Sequence, residues 1–136
     1  MLDKNSILEM LRKDESLSSI LKDERGIDIV ANVIMESKEQ DSSIDQYFYD
    51  MAESFIKVML YYIQTLEGEN NQKISNCLKI LKDNKNTNKQ ELKEIIKKNL
   101  SFGNKGRMLC DSVFLNPDQS LDTIMQVTID KLENIL

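Results

Sequence analysis

The sequence predicts an all-α domain: a single bundle of about six or seven helices around one long central helix spanning roughly residues 44–67. Three observations lead there. Apolar residues recur at i, i+3, i+4 and i+7 along most of the chain, and strand-like alternation is never sustained. Only 4 Gly and 1 Pro interrupt 136 residues, and only 6% of residues are aromatic, which leaves too few turns for a β-sandwich. A hydrophobic content of 40% at this length builds one core. Residues 1–136 therefore read as one domain, with 1–26 as a less regular N-terminal extension.

Taken in order, Ser6-x-x-Glu9 has capping-box spacing, in which each side chain satisfies the other residue's backbone N–H. Ile7, Leu8 and Leu11 form the apolar edge that follows. Residues 13–26 are polar and Ser-rich apart from Leu17, Ile20 and Leu21, and end at Gly26, which can take the left-handed conformation that closes a helix. Ile27, Val30, Val33 and Ile34 repeat at helical spacing. The polar run Glu36 to Ser43 is a loop, and Ser43-x-x-Gln46 is a second capping box.

The strongest segment follows. Ile44, Tyr47, Phe48, Met51, Ala52, Phe55, Met59, Tyr62, Ile63 and Leu66 keep helical spacing for about six turns, and Ile56, Val58, Leu60 and Tyr61 widen the stripe until the second half is apolar on most sides. Gly68 and Asn70-Asn71 end it. Ile74, Cys77, Leu78 and Leu81 mark a shorter helix, and Asp83 to Asn88 a polar break. Thr87-x-x-Gln90 and Asn88-x-x-Glu91 both offer caps for a helix with a core face of Leu92, Ile95 and Ile96. Gly103 and Gly106 bracket a turn before Met108, Leu109, Val113 and Phe114. Asn116-Pro117 reads as N-cap and first helical position. Leu121, Ile124, Met125, Thr128, Leu132, Ile135 and Leu136 then share one face.

Much chemistry is absent. With 0 His there is no His-based triad, zinc site or proton shuttle. Cys77 and Cys110 form no C-x-x-C and read as buried free thiols; a disulfide would need an oxidising compartment. Gly103-Asn104-Lys105-Gly106-Arg107 lacks phosphate-loop spacing and reads as a turn. Asp45, Asp50 and Glu53 complement the dipole of the central helix rather than forming an acid–base pair. Met51, Met59 and Met125, like Tyr47, Tyr49, Tyr61 and Tyr62, read as core or interface anchors. No catalytic motif, cofactor or metal is expected. The start, Met1-Leu2-Asp3-Lys4-Asn5, is unlike a signal peptide, and no window approaches the ~18 apolar residues of a membrane span. A soluble chain from a reducing compartment is the expectation.

Charge is segregated. Residues 1–72 carry 7 Lys/Arg against 15 Asp/Glu, a balance of −8. Residues 73–107 carry 10 against 3, or +7, and residues 108–136 carry 1 against 5, or −4. Lys89, Lys93 and Lys97 recur every four residues and line one flank of a helix, and Lys82, Lys85, Lys98, Lys105 and Arg107 extend the block into a candidate site for an acidic partner or a phosphate backbone. The competing reading is a solvated face. No aromatic residue interleaves with Lys89, Lys93 and Lys97, so base stacking is not expected.

Ile29-Val30-Ala31-Asn32-Val33-Ile34 leads through an acidic loop to Asp45-Gln46-Tyr47-Phe48-Tyr49-Asp50-Met51-Ala52-Glu53-Ser54-Phe55-Ile56 and Val58-Met59-Leu60-Tyr61-Tyr62-Ile63. This order resembles the all-α domain of type IV secretion coupling proteins, the ATPases of bacterial conjugation. In that family a short helix with Ile-Ala-x-x-Ile character and a variable loop precede an Asp-x-aromatic-aromatic-x-x-Ala helix that ends in an apolar-Tyr stretch. The resemblance covers roughly residues 27–136, and residues 1–26 do not share it. It implies a non-catalytic substrate-recognition module inserted in a RecA-like motor, at the cytoplasmic, membrane-distal mouth of a hexameric channel and monomeric in isolation. Implied partners are a relaxase or an accessory relaxosome protein, with transferred DNA, bound weakly and without sequence preference, as a further candidate. Direct membrane contact by this segment is not implied. No binding motif carries over residue by residue, and the nucleotide-binding motifs of the motor are absent here.

Two other classes compete. A DNA-binding regulator would place a recognition helix near Lys82 to Arg107, but that segment offers mainly Lys where Arg, Asn or Gln would read bases. A helical protein-interaction domain would have no affinity for nucleic acid.

Overall fold

Every residue from Val58 to Ile63 is buried, an all-round burial that a helix reaches only at the centre of a bundle. In the computed structural model, which describes residues 3–86 and 88–136, these residues form the second half of α3 (Gln46–Gln64). Around it stand α1 (Lys4–Arg12), α2 (Glu24–Glu36), α4 (Ile74–Asp83), α5 (Lys89–Lys98), α6 (Lys105–Phe114) and α7 (Asp118–Ile135), with a 3-10 turn over Glu69–Asn71. The predicted all-α bundle is observed, with no strand among the described residues. The Thr87-x-x-Gln90 cap lies outside them.

α3 packs chiefly on α6 and α7, then on α2. Phe55 meets the Phe114 ring edge-on at 5.7 Å, a geometry worth about 1 kcal/mol beyond area burial. Gly106 brings α6 close to α3: a Cβ there would stand 2.5 Å from the Tyr61 Cβ. Leu17, Ile20 and Leu21 of the irregular segment are buried, so the N-terminal extension belongs to the same core. Asp14, at φ 53, accepts the backbone N–H of Ser75 at 3.0 Å. Its carboxylate caps the start of α4, which has no side-chain cap of its own.

Several local expectations are corrected. Asp3, not Ser6, caps α1 by accepting the Ser6 N–H, and Glu9 instead pairs with Lys13 at 2.8 Å. Asp45, not Ser43, caps α3, while Ser43 bonds to Asp41. In both places a carboxylate, the stronger acceptor, displaces a nearby hydroxyl. Gly26 closes no helix: it sits in the first turn of α2, where a Cβ would lie 1.9 Å from the Ile20 carbonyl oxygen. Gly68 and Gly103 are the glycines with positive φ. Asn116 precedes α7 by two residues, and its amide donates to the Val113 carbonyl at the end of α6. Ile95, Met108 and Leu136, expected in the core, are exposed.

Cys77 and Cys110 are free and buried, 1% and 0% exposed. Burial pushes the Cys77 thiol up to about 12 and the Cys110 thiol to about 11, from an ordinary 9.0. Above pH 9 the unfolded chain therefore releases protons that the native state retains, and stability falls by about 1.4 kcal/mol per pH unit per thiol. Lys131, held low chiefly by burial, acts in the opposite sense below its ordinary 10.5, and the Tyr61 phenol, pushed up to about 12 chiefly by burial, adds to the decline above pH 10. Denaturant melts from pH 8 to 10, below the Tyr61 range, should show this decline, flattened in Cys77→Ala/Cys110→Ala. A thiol reagent at pH 8 should label neither cysteine without denaturant.

Candidate partner-binding face on α5 and α6

α5 begins at Asn88, whose side chain accepts the Gln90 N–H at 2.9 Å, and buries only Leu92 and Ile96 from a ten-residue helix. Lys89, Lys93 and Lys97 do line one flank of α5. That flank is a seam between helices rather than an open stripe. Lys89 Nζ meets Asp122 Oδ1 of α7 at 2.6 Å, and Lys97 Nζ meets Asp111 Oδ1 of α6 at 2.6 Å. Lys82 of α4 reaches Glu133 of α7 at 2.9 Å. Three ion pairs thus join the basic block to the acidic block that follows it in sequence. The Lys97 ammonium holds the Asp111 carboxyl below the usual carboxylate value.

Arg107 is also engaged within the fold. Its Nη1 donates to the carbonyls of Lys97 and Leu100, at 2.7 and 2.8 Å, and so joins α6 to the end of α5. The same guanidinium lies 4.3 Å from the Phe102 ring centroid. Of the eight candidate residues, Lys82, Lys89, Lys97 and Arg107 therefore hold helices together. Lys85, Lys98 and Lys105 are exposed and Lys93 is half-buried, none with a side-chain partner among the described residues. Glu94, Ile95, Lys97, Lys98 and Arg107 line one shallow recess between α5 and α6.

A buried cation elsewhere has no counterpart in the sequence-derived site. Lys131 of α7 is 3% exposed; its Nζ donates to the carbonyls of Met35 and Lys38 at 2.8 and 2.7 Å, where α2 ends. The Tyr49 ring centroid lies 5.5 Å away. The Tyr49 hydroxyl accepts the Asp41 N–H at 2.7 Å, so this cluster folds the 37–45 loop back onto the bundle. The available signal is spacing: Lys131 stands at i+4 from Val127 and i+3 from Thr128, on the apolar side of α7.

Among the described residues no cluster of potential metal ligands forms, and no helix is long and apolar enough to cross a membrane. No protein-family model, curated protein or solved structure matches this chain.

Proposed function

We propose that this chain is a non-catalytic recognition module of a conjugative coupling protein, contacting a relaxase or an accessory DNA-processing protein, with transferred DNA as a weak, sequence-blind ligand. What carries the reading is the apolar and aromatic order from Ile29 to Ile63, which resembles that family's domain. The cations that no ion pair among the described residues consumes add support, because Lys85, Lys93, Lys98 and Lys105 are left to meet an outside acid or phosphate. In this reading the module works on the cytoplasmic face of the membrane, is monomeric in isolation, and has a parent protein that supplies the ATPase.

The test is anisotropy binding to single- and double-stranded DNA, and to a purified relaxase, at two salt concentrations. Lys85→Glu/Lys98→Glu/Lys105→Glu, all at exposed positions, should leave the melting temperature in place and lower the slope of log affinity against log salt by about 2 on single strands. Lys89→Glu/Lys97→Glu behaves differently. It sets carboxylates against Asp122 and Asp111 and should cost about 2 kcal/mol of stability, limited by solvent around the aspartates. Tight preference for one duplex sequence would replace the proposal with a regulator. Loss of neither ligand in the triple variant would remove the basic block from it.

A further inference from the structure

The α5–α6 face carries apolar side chains that a phosphate backbone has no use for. Phe102 is 89% exposed, Leu115 81%, Met108 66% and Ile95 48%. Large apolar residues at such exposure are ordinary when scattered, but these four fall within 21 residues of sequence: Ile95 on α5, Met108 on α6, Phe102 in the loop between them and Leu115 at the C-cap of α6, and the two helices pack together. Leu115, the C-cap of α6, keeps helical backbone angles, so Met108 and Leu115, seven residues apart, lie on one side of the helix and about 10 Å apart along its axis. Phe102 lies under the Arg107 guanidinium, and Ile95 shares a recess with Arg107 and Lys98. The face is therefore continuous from Ile95 across Arg107 to Phe102, with the outward side of α6 beside it.

Its charge is positive. Lys98 and Lys105 stand at the edge without partners among the described residues, and Arg107 adds a third cation. Asp111 is neutralised by Lys97, which leaves Glu94 as the unpaired carboxylate of the recess. A phosphate backbone would use the cations and gain nothing from Leu115 or Met108. A basic partner would meet repulsion.

We propose that this face docks an acidic amphipathic helix of a partner protein, with large apolar anchors repeating at i and i+7 over Met108 and Leu115 and with Asp or Glu beside them facing Lys98, Lys105 and Arg107. The inference rests on the recognition-module reading and names the chemistry of the partner.

Three probes test it on the purified chain: a labelled acidic amphipathic peptide of about 18 residues, the same peptide with Lys in place of Glu, and a single-stranded oligonucleotide of about 20 nucleotides. The acidic peptide is expected to bind, to weaken with salt, and to shift amide resonances of residues 95–115. Met108→Asp/Leu115→Asp should abolish that binding without moving the melting temperature, because both side chains are solvent-facing. Equal binding of the basic peptide, shifts confined elsewhere, or no binding of the acidic peptide overturns the inference. So does a concentration-dependent dimer in sedimentation that the same double variant dissolves, since a second copy would then be the occupant. Oligonucleotide binding without acidic-peptide binding overturns the docking helix and leaves the recognition module standing, whereas failure of all three probes together with a relaxase takes both down.

Discussion

Lys131→Ala is expected to lower the unfolding free energy by about 3 kcal/mol, because two carbonyls at the end of α2 lose their donor inside the core. The side chain is buried, so water replaces the ammonium only by entering the space left behind, and Tyr49 loses the cation beside its ring. Lys131→Met separates the two contributions. It keeps most of the aliphatic stem and removes the donor, so it should recover the packing share of the loss and retain the hydrogen-bonding share. A neutral lysine amine still has two N–H groups, one for Met35 and one for Lys38. The lowered proton affinity of Lys131 is thus compatible with both bonds, and stability from this group rises as pH climbs toward 10.5. Equilibrium denaturation at pH 7 and 10 measures both effects. A Lys131→Ala variant as stable as the parent would mean that the 37–45 loop does not depend on the anchor. The expected local signature is faster hydrogen exchange in residues 36–45 before global unfolding.

The helices were legible because each carries enough Leu, Ile and Val at helical spacing to reveal its buried stripe; α3 and α7 are read nearly to their ends. Caps were less legible. Where an Asp stands within a few residues of a Ser, as at Asp3 and Asp45, spacing alone does not rank the two acceptors, and the charged one prevails. Ile95 and Met108 satisfy the apolar pattern of their helices yet face solvent, because a helix of about three turns packed on one side buries only a narrow stripe. The four-residue lysine spacing was read correctly as a shared flank. Its role was not, since Asp111 and Asp122 lie 14 and 33 residues beyond Lys97 and Lys89, and only the packing of α6 and α7 brings them there. The same limit hid Lys131, whose two acceptors lie more than 90 residues back along the chain. The candidate face shifts accordingly, from the lysine ladder toward Lys98, Lys105 and the exposed apolar residues, of which Ile95 and Met108 are expected in the core from the sequence.

Gly106→Ala is expected to cost about 2–3 kcal/mol, as overpacking does where a buried side chain already fills the space against the helix backbone. A methyl at this position would meet the Tyr61 Cβ at 2.5 Å, an atom that no rotamer change moves away, and its Cγ at 2.6 Å, on a ring buried in the core. α6 must therefore slide off α3 by roughly 1 Å, loosening the contacts of Cys110, Val113 and Phe114 on the same side of the helix. The better helix propensity of Ala, about 1 kcal/mol, offsets part of the loss. Gly103→Ala is the informative contrast. Its glycine sits at φ 84 with nothing within 4 Å of a built Cβ, so that substitution strains one backbone residue and disturbs no packing, for about 1 kcal/mol. Cys110 supplies a readout that separates the two, since it follows Gly106 by one helical turn and is fully buried. The rate of thiol labelling without denaturant should rise well above the parent in Gly106→Ala, beyond what its loss of global stability accounts for. In Gly103→Ala it should track stability alone. Equal rates in the two variants at matched stability would mean that α6 does not seat against Tyr61 this closely. The face formed by Met108 and Leu115 would then be free to move relative to the core that carries it.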